Sequence, residues 1–538
     1  MDFTQYILLF SIIIFVCILL NKVSSRMGIP VLLLFIVLGM LSGLQFTPTL
    51  ESCKLVEDIS TFSLIFIMFY GGFGTRWSSA KPVATEAGLL ATLGVVLTAG
   101  AVGLFCHFAL KWDWIESFLM GSVISSTDAA TVFSILRTHK MGLKNNTAPL
   151  LEVESGSNDP CSNLLTLVML SLLGGNITGG QVVWMVVAQF LFGILGGLLI
   201  ANCAVFVLKR VSFPSGMDSM FMLAVAIFAY ALPAAIGGNG YLSTYIVGIV
   251  LGNTRFRGRK AMVNFFDGVT SLTQILIFYS LGLMSDCKSL AVVVVPALAI
   301  FLFITFVARP FAVCSILGPI RSSGKAKYPP KQLGLISFVG LRGAASIVFA
   351  IMTITRESAL EHDIFSIVFL IVLVSILLQG AFIPAAARCF DMVDGSEDVM
   401  KTFSDYSDVS EVSFGRMNVE HGSDWDGKKL CELHLPKEML VTLVLRGREK
   451  IVAKGDTVLH GGDRLIFCSK SYINETEANL HEHPLSKNSK WAGHAIKEYP
   501  APPGTLVVMV KRGDRSIIPD GNTVLRKGDV LVILDQAS

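Results

Sequence analysis

Two carboxylates and an amide stand close together in an otherwise apolar part of the chain. They belong to the stretch Glu154-Ser155-Gly156-Ser157-Asn158-Asp159-Pro160, which opens the apolar run from Cys161 to Leu173. Charged groups are costly inside a membrane, so they usually face a water-filled cavity or the interior of a helix bundle and mark an ion or proton pathway. Asp159 is therefore the first candidate for such a site.

Two further polar stretches interrupt apolar segments. Ser125-Ser126-Thr127-Asp128-Ala129-Ala130-Thr131 lies in the middle of one, and Gly340-Leu341-Arg342-Gly343 lies between two apolar runs of another. Interrupted helices with polar residues near the membrane midplane indicate a transporter's binding site. Hydroxyl, carboxylate and carbonyl oxygens suit a hard cation.

Composition supports a membrane protein that carries these stretches. The chain has 538 residues, of which 53% are hydrophobic and 15% charged, whereas about 25% charged residues is usual in a soluble domain. The net charge of +3 is too small to suggest nucleic acid as a partner. The ten cysteines are scattered and form no CxxC motif, which argues against a zinc site and a disulfide framework.

About thirteen apolar segments between residues 4 and 387 are candidates for membrane spans. With the N-terminus outside, the inside loops hold 17 Lys and Arg residues and the outside loops hold four. Because positive charge concentrates in cytoplasmic loops, this difference predicts an outside N-terminus and a cytoplasmic C-terminus. The expected location is a bacterial inner membrane.

The last 150 residues are polar, turn-rich and internally repeated. Residues 440–467 align without a gap on residues 506–533, with 13 of 28 positions identical. Each copy reads as three strands separated by an Arg-Gly turn and a Gly-Asp turn. The predicted organisation is a membrane domain, a linker and two small modules: 1–388, 389–413, 414–475 and 476–538.

The membrane part resembles a known family. The combination of TDAA at 127–130, ESxxND at 154–159 and GLRGA at 340–344 resembles the NhaP-type cation/proton antiporters, the branch with an Asn-Asp pair. The resemblance implies an all-α membrane fold of about 13 helices, built from inverted repeats with discontinuous helices.

The same resemblance implies roles for individual residues. Asp159 would bind the monovalent cation and the proton, with Asn158 beside it as a structural neighbour. Thr127 and Asp128 would line the site, and Ser155 would contribute an oxygen ligand. Glu154 would form an ion pair with Arg342.

One position departs from the family pattern. Many relatives carry an acidic residue before the Gly-Gly pair of the third span, where this chain has Tyr70 followed by Gly71 and Gly72. Tyr70 could still line the site, but the site would have one carboxylate fewer, which bears on ion selectivity.

The repeated tail resembles tandem RCK_C (TrkA_C) modules. These are regulatory in other transporters, so the resemblance implies an α+β tail, a small cytosolic ligand, for example a nucleotide such as cyclic di-AMP, and a homodimer. No other cofactor is expected, and the resemblance assigns no ligand contacts.

Structural interpretations compete with these roles. Asp159 could cap a helix that starts at Pro160, and Asp128 could cap the helix that follows its break while also lining the site. The Glu154–Arg342 pair could be purely structural. The basic run 255–260 could bind lipid head groups, although a topology-setting loop is the better interpretation. His107, His139 and His362 lie near span ends, where interfacial histidines are ordinary.

The expected function is exchange of K⁺, or alternatively Na⁺, for H⁺, without enzymatic activity. One titrating aspartate predicts one-for-one, electroneutral exchange. A ligand-gated cation channel remains an alternative, although the chain has no TVGYG-like stretch to form a filter. A membrane sensor is a third possibility, in which Asp159 and Asp128 would be dispensable.

Overall fold

The structure is a computed structural model. It describes residues 4, 8, 11–20, 31–43, 49–139, 141–175, 178–211, 214, 216–254, 259–322, 325–356, 360–394, 412–433, 435, 439–446, 449–470, 479–485, 491–498, 505–512, 515–517, 519 and 522–535. The chain forms two compact units, Met1–Asp408 and Val409–Ser538. Most of the predicted linker, 389–413, and most of the basic run 255–260 lie outside the described residues.

The first unit is helical. Its helices are α1 (Ser11–Leu20), α2 (Val31–Gly43), α3 (Leu50–Gly74), α4 (Trp77–Ala80), α5 (Ala84–Leu89), α6 (Val95–Leu110), α7 (Trp114–Ile124), α8 (Ala129–Thr138), α9 (Thr147–Leu173), α10 (Gly179–Arg210), α11 (Met217–Ala235), α12 (Gly240–Gly252), α13 (Arg259–Met284), α14 (Cys287–Phe303), α15 (Arg309–Leu317), α16 (Pro330–Phe338), α17 (Ala344–Arg356), α18 (Ile364–Val374) and α19 (Gly380–Cys389). Short π-helical segments join α5 to α6, α14 to α15 and α18 to α19.

Within the described part of the chain, seven helices are long and apolar enough to cross a membrane. They are Leu50–Gly74, Trp77–Leu110, Gly179–Arg210, Met217–Ala235, Met262–Met284, Lys288–Leu317 and Ile364–Cys389. Shorter apolar helices such as Trp114–Ile124 and Ala344–Arg356 accompany them. Several spans are broken or short, so length does not test the count of thirteen, which stays a prediction.

Two of the three polar stretches break their helices. Residues 125–128 separate α7 from α8, and residues 339–343 separate α16 from α17. The breaks meet, because the backbone N–H of Asp128 donates to the carbonyl of Leu341 at 2.8 Å. The third stretch is different: α9 continues from Thr147 to Leu173 and contains Pro160 in its interior. The interpretation of Asp159 as an N-cap is therefore wrong, since no helix starts there.

The core of the helical unit surrounds α17. Residues 347–351 are fully buried, whereas α10 exposes large apolar side chains such as Val183 and Trp184 on its outer face. Helices α3 and α12 approach closely through glycines. A Cβ at Gly248 would lie 2.3 Å from the carbonyl oxygen of Phe69. Small residues allow such close packing between membrane helices, and here they hold α12 against the site.

The second unit contains two four-stranded antiparallel sheets. The first has the order β5-β8-β6-β7, with β5 (Val412–Asn418), β6 (Met439–Arg446), β7 (Glu449–Val452) and β8 (Arg464–Lys470). The second has the order β9-β12-β10-β11, with β9 (Asn479–Pro484), β10 (Thr505–Arg512), β11 (Arg515–Ile517) and β12 (Val530–Asp535). Strand β6 has an irregularity between Val441 and Leu443, and β10 has one at the equivalent place between Val507 and Met509. The repeat is therefore visible in topology and register. The described residues of the first unit also form four short strands, β1 (Gly142–Leu143), β2 (Arg321–Ser322), β3 (Lys325–Ala326) and β4 (Val393–Asp394).

Candidate functional site

Asp159 lies in the middle of α9 and faces the broken helix α7–α8. Its side chain is 5% exposed, and it accepts a hydrogen bond from the hydroxyl of Ser126. It lines a cavity of about 210 Å³. The polar side chains of that cavity are Tyr70, Ser126, Thr127, Asp128, Glu152, Ser155, Asp159, Tyr245 and Gln274. Most of these polar groups are hydroxyls and carboxylates, whose oxygen atoms suit a hard cation, and the rest of the lining is apolar.

Asp128 lies at the start of α8, where the first break ends. Its carboxylate accepts from the backbone N–H of Thr131 at 3.2 Å and from the Thr131 hydroxyl at 2.6 Å, which caps the start of α8. It also lines the cavity. Gly343 makes this possible, because a Cβ there would lie 2.4 Å from the Cβ of Asp128.

Ser155 and Asn158 attach α9 to the break. The Ser155 hydroxyl donates to the carbonyl of Thr127 and accepts from the N–H of Ala129, both at 2.8 Å. The Asn158 amide donates to the Thr127 hydroxyl at 2.5 Å. Ser155 and Thr127 line the cavity, whereas Asn158 is fully buried outside its lining. Asn158 therefore holds the break in place rather than facing the cavity.

The prediction that Glu154 pairs with Arg342 is wrong. Arg309 of α15 forms the pair with Glu154 instead, through contacts of 2.6 and 2.8 Å between guanidinium nitrogens and carboxylate oxygens. Arg342 donates to the carbonyls of Ser125 and Ser126 at 3.0 and 2.7 Å. These carbonyls lack helical donors because the helix breaks there, and the Arg342 guanidinium supplies the missing hydrogen bonds.

Sequence reasoning did not identify Arg309, although a signal exists. Arg309 is the only charged residue between Ser289 and Leu317, an apolar segment of the chain. Its side chain packs on the second break, because a Cβ at Gly340 would lie 3.0 Å from Arg309 Nε.

Tyr70 lines the cavity and brings a further carboxylate close to it. Its hydroxyl donates to Asp267 of α13 at 3.2 Å. Asp267 is the only charged residue between Val263 and Met284, a signal that sequence reasoning did not use. Position 70 therefore carries no carboxylate of its own, but the Tyr70 hydroxyl is hydrogen-bonded to a carboxylate from another helix.

The tail modules contain one repeated ion pair. Arg446 contacts Asp463 through two hydrogen bonds of 2.8 and 2.7 Å, and Arg512 contacts Asp529 through two of 2.9 and 2.7 Å. Arg446 lowers the pKa of Asp463 below its ordinary value, against burial, which raises it. Burial likewise raises the pKa of Asp529, but the hydrogen bonds from Arg512 and the chain nearby bring it below its ordinary value. Both aspartates are buried, so the pairs hold each module together.

Two broken helices that cross beside a buried aspartate define a class of membrane protein, the secondary transporters with discontinuous helices. Comparison with known proteins makes the class specific. The family model "Sodium/hydrogen exchanger, transmembrane" matches residues 11–389, and the TrkA-C domain model matches residues 415–481 and 480–534. The chain belongs to the sodium/hydrogen exchanger family. It is a multi-pass membrane transporter and not an enzyme, and the sequence-based family assignment is confirmed.

Individual relatives agree with this assignment. The K⁺/H⁺ antiporter NhaP2 of Shewanella oneidensis is 30% identical over 99% of this chain and 81% of its own length. The K⁺/H⁺ antiporter NhaP of Alkalimonas amylolytica is 34% identical over 71% of this chain and 66% of its own length. The structure of the sodium proton antiporter MjNhaP1 from Methanocaldococcus jannaschii at pH 8 superimposes with a TM-score of 0.63, covering 72% of this chain and 99% of that one at 23% identity. This last likeness supports the fold.

Proposed function

We propose that the chain exchanges a monovalent cation for a proton across a membrane and that Asp159 binds each of them in turn. One observation carries the proposal: Asp159 is a buried carboxylate in the middle of a continuous helix, and it lines a cavity at the crossing of two broken helices. A buried carboxylate needs a compensating proton or cation, and one position serves both.

The coupling follows from the cost of burying charge. When Asp159 holds neither a proton nor a cation, an uncompensated negative charge sits in a site of low dielectric, which costs several kcal/mol. A conformational change that carries the site across the membrane is therefore permitted in the two occupied states. Exclusion of the empty, charged state links cation movement in one direction to proton movement in the other.

The surrounding charges support one-for-one exchange. Glu154 has its counter-charge in Arg309, and Asp128 is engaged in capping α8. Glu152 also lines the cavity but is partly exposed, whereas Asp159 is buried, so we assign the change of occupant during the cycle to Asp159. Replacing one proton by one monovalent cation moves no net charge, so we propose that the exchange is electroneutral.

Potassium is the proposed cation, with sodium as the alternative. The relative named a K⁺/H⁺ antiporter matches 99% of this chain, which includes the tail modules. The hydroxyl and carboxylate oxygens of the cavity suit either ion, because both are hard cations.

The tail and the orientation complete the proposal. The TrkA-C modules would bind a small cytosolic ligand, for example a nucleotide such as cyclic di-AMP, and so regulate exchange; they would also support a homodimer. The distribution of Lys and Arg supports an outside N-terminus and a cytoplasmic C-terminus in a bacterial inner membrane.

The test is a flux measurement with purified protein in vesicles that carry a pH gradient. Addition of K⁺, Na⁺ or Li⁺ should drive proton movement for the parent protein, and Asp159→Asn should abolish it. Asp58→Asn is the matched control, because Asp58 is an exposed carboxylate on α3. Clamping the membrane potential should leave the rate unchanged if the exchange is electroneutral.

Two results would overturn the proposal. Cation flux without proton movement would favour a channel, and full exchange by Asp159→Asn would remove the aspartate from the mechanism. A rate that follows the clamped potential at every pH would contradict electroneutrality while leaving the exchange itself intact.

A further inference from the structure

Four polar residues follow one another along one face of α13, and together we call them the polar row. They are Asn264, Asp267, Ser271 and Gln274, spaced by three, four and three residues, which places them above one another on a helix. Gln274 lines the cavity beside Asp159, and the other three side chains are exposed. This part of α13 belongs to a membrane span. Polar groups there face water or protein, because hydrocarbon solvates them poorly.

The neighbouring face of α13 is apolar. Leu272 follows Ser271 directly and is therefore turned about 100° away from it around the helix. Leu272 is 39% exposed, and Leu276 lies one turn further along the same face. Leucine side chains are as apolar as lipid tails and suit contact with them. The exposed surface of α13 therefore divides into a face for lipid and, beside it, the polar row for water.

The polar row leads to the mouth of the cavity. The cavity lining includes Tyr70 and Gly74 near the end of α3 and Glu152 near the start of α9. These helix ends mark the mouth, at the membrane face that the proposed orientation makes cytoplasmic. Asp267 lies beside the mouth, because the Tyr70 hydroxyl donates to its carboxylate at 3.2 Å. Gln274 lies in the cavity wall, seven residues or about 10 Å further along the helix.

Asp267 brings a negative charge to this mouth. It is the only charged residue between Val263 and Met284, and its side chain is exposed, so its charge can act on ions in the adjoining water. A charge of one sign in a cleft with low-dielectric walls raises the local concentration of counter-ions. For Asp267 these counter-ions are the cations of the solution at that face.

We propose that the polar row forms one wall of a water-filled vestibule and that Asp267, at its mouth, attracts the transported cation toward Asp159. The inference rests on the proposed function and its orientation. Asp267 acts through its charge, without coordinating the ion in a fixed geometry. The attraction is therefore equal for K⁺, Na⁺ and Li⁺, and the choice among them stays with the groups around Asp159.

The first experiment measures apparent KM values on everted membrane vesicles that carry the full-length protein, so that cations are added at the cytoplasmic face. Asp267→Asn removes the charge with little change of size. It should raise the apparent KM about fivefold, the effect of one unit charge about 4 Å from an ion in water, and leave the maximal rate unchanged because saturating cation no longer needs the attraction. Asp58→Asn is the matched control, because Asp58 is an exposed carboxylate in the first half of α3, away from Tyr70.

Two further measurements separate charge from structure. Asp267→Glu keeps the charge and should restore the parent KM, whereas a role in packing would not be rescued. Raising the ionic strength with N-methylglucamine chloride from about 0.01 M to about 0.15 M shortens the Debye length from about 30 Å to about 8 Å. The difference in KM between the parent and Asp267→Asn should therefore shrink.

Thiol labelling tests the vestibule without measuring transport. A membrane-impermeant trimethylammonium methanethiosulfonate is added to the same vesicles, and mass spectrometry of the peptides separates the new thiol from the ten native cysteines. Ser271→Cys should react at least about tenfold faster than Leu272→Cys, because the reactive thiolate forms in water and not against lipid. Both positions are exposed on neighbouring faces of one helix, so they form a matched pair.

Several results would overturn the vestibule. Asp267→Asn with the parent KM, Asp267→Glu that fails to restore the KM, or Ser271→Cys that reacts no faster than Leu272→Cys would each do so. A KM that rises by different factors for K⁺, Na⁺ and Li⁺ would do so too, because the ion would then be coordinated by Asp267. The proposed function stands in all these cases if the parent exchanges cations for protons, and it is overturned if the parent does not.

Discussion

Replacing Arg309 by glutamine is expected to destabilise the helical unit by about 3–5 kcal/mol. The side chains of Arg309 and Glu154 are 4% and 1% exposed, and contacts of 2.6 and 2.8 Å join them. Removing the guanidinium leaves the Glu154 carboxylate buried without its counter-charge, which is the origin of the cost. The double change Glu154→Gln with Arg309→Gln removes both charges and should restore much of the stability.

A double-mutant cycle measures this coupling. Unfolding of the purified protein would be followed in mixed micelles of mild detergent and increasing dodecyl sulfate, for the parent, both single variants and the double variant. The coupling between Glu154 and Arg309 should be about 2–3 kcal/mol, as for residues in direct contact. The matched cycle pairs Glu154 with Arg342, whose guanidinium donates to backbone carbonyls, and should give less than about 1 kcal/mol.

Two outcomes would refute this reasoning. A larger coupling of Glu154 with Arg342 than with Arg309 would restore the pair expected from sequence. An Arg309→Gln variant within about 0.5 kcal/mol of the parent, the range of ordinary surface changes, would show that the pair carries no stability.

The remaining predictions concern the second break and the tail. Gly343→Ala should reduce exchange at least about tenfold, because the added Cβ would lie 2.4 Å from the Cβ of Asp128 and well-packed sites tolerate little added volume. Gly100→Ala is the control, because its Cβ would meet nothing within 4 Å. This variant should retain the parent exchange rate in the same vesicles. In the tail, Arg446 lowers the pKa of Asp463. The pair therefore makes its full contribution to the stability of the folded module at pH values above the ordinary aspartate pKa of about 3.9. This contribution is lost as the pH falls below about 3.9 and through the lower pKa of the folded state. The protection factors of the strand amides in the first module, corrected for the intrinsic exchange rate at each pH, should therefore fall on acidification, and less so in Asp463→Asn. An equal fall in both proteins would contradict the assignment.

The polar stretches of the membrane part could be found from sequence because polar and charged residues are costly, and therefore rare, inside membrane spans. Thr127, Asp128, Ser155 and Asp159 stand out against apolar neighbours, and the structure places all four on one cavity. The interruptions predicted at 125–131 and 340–343, where polar and glycine residues interrupt apolar runs, appear as helix breaks at 125–128 and 339–343. In the tail, the repeat predicted equivalent strands, which appear as two sheets of equal order.

The partners of the charged groups could not be predicted in this way. Two arginines, Arg309 and Arg342, lie inside predicted spans, and sequence spacing does not tell which of them faces Glu154. The motif resemblance favoured Arg342 as the partner of Glu154. In the structure α15 packs against the second break, which places Arg309 in contact with Glu154 instead. The pairing of Tyr70 with Asp267, 197 positions apart, is of the same kind.

The sequence by itself therefore determined the membrane character, the family, the residues that interrupt the spans and the repeated tail, because burial cost and periodicity act on each segment separately. Only the tertiary structure decided that Asp159 sits inside a continuous helix, that Arg342 compensates broken backbone, and that the Tyr70 hydroxyl contacts Asp267. Those facts depend on which helix faces meet, and that is settled by close packing between segments distant in the chain.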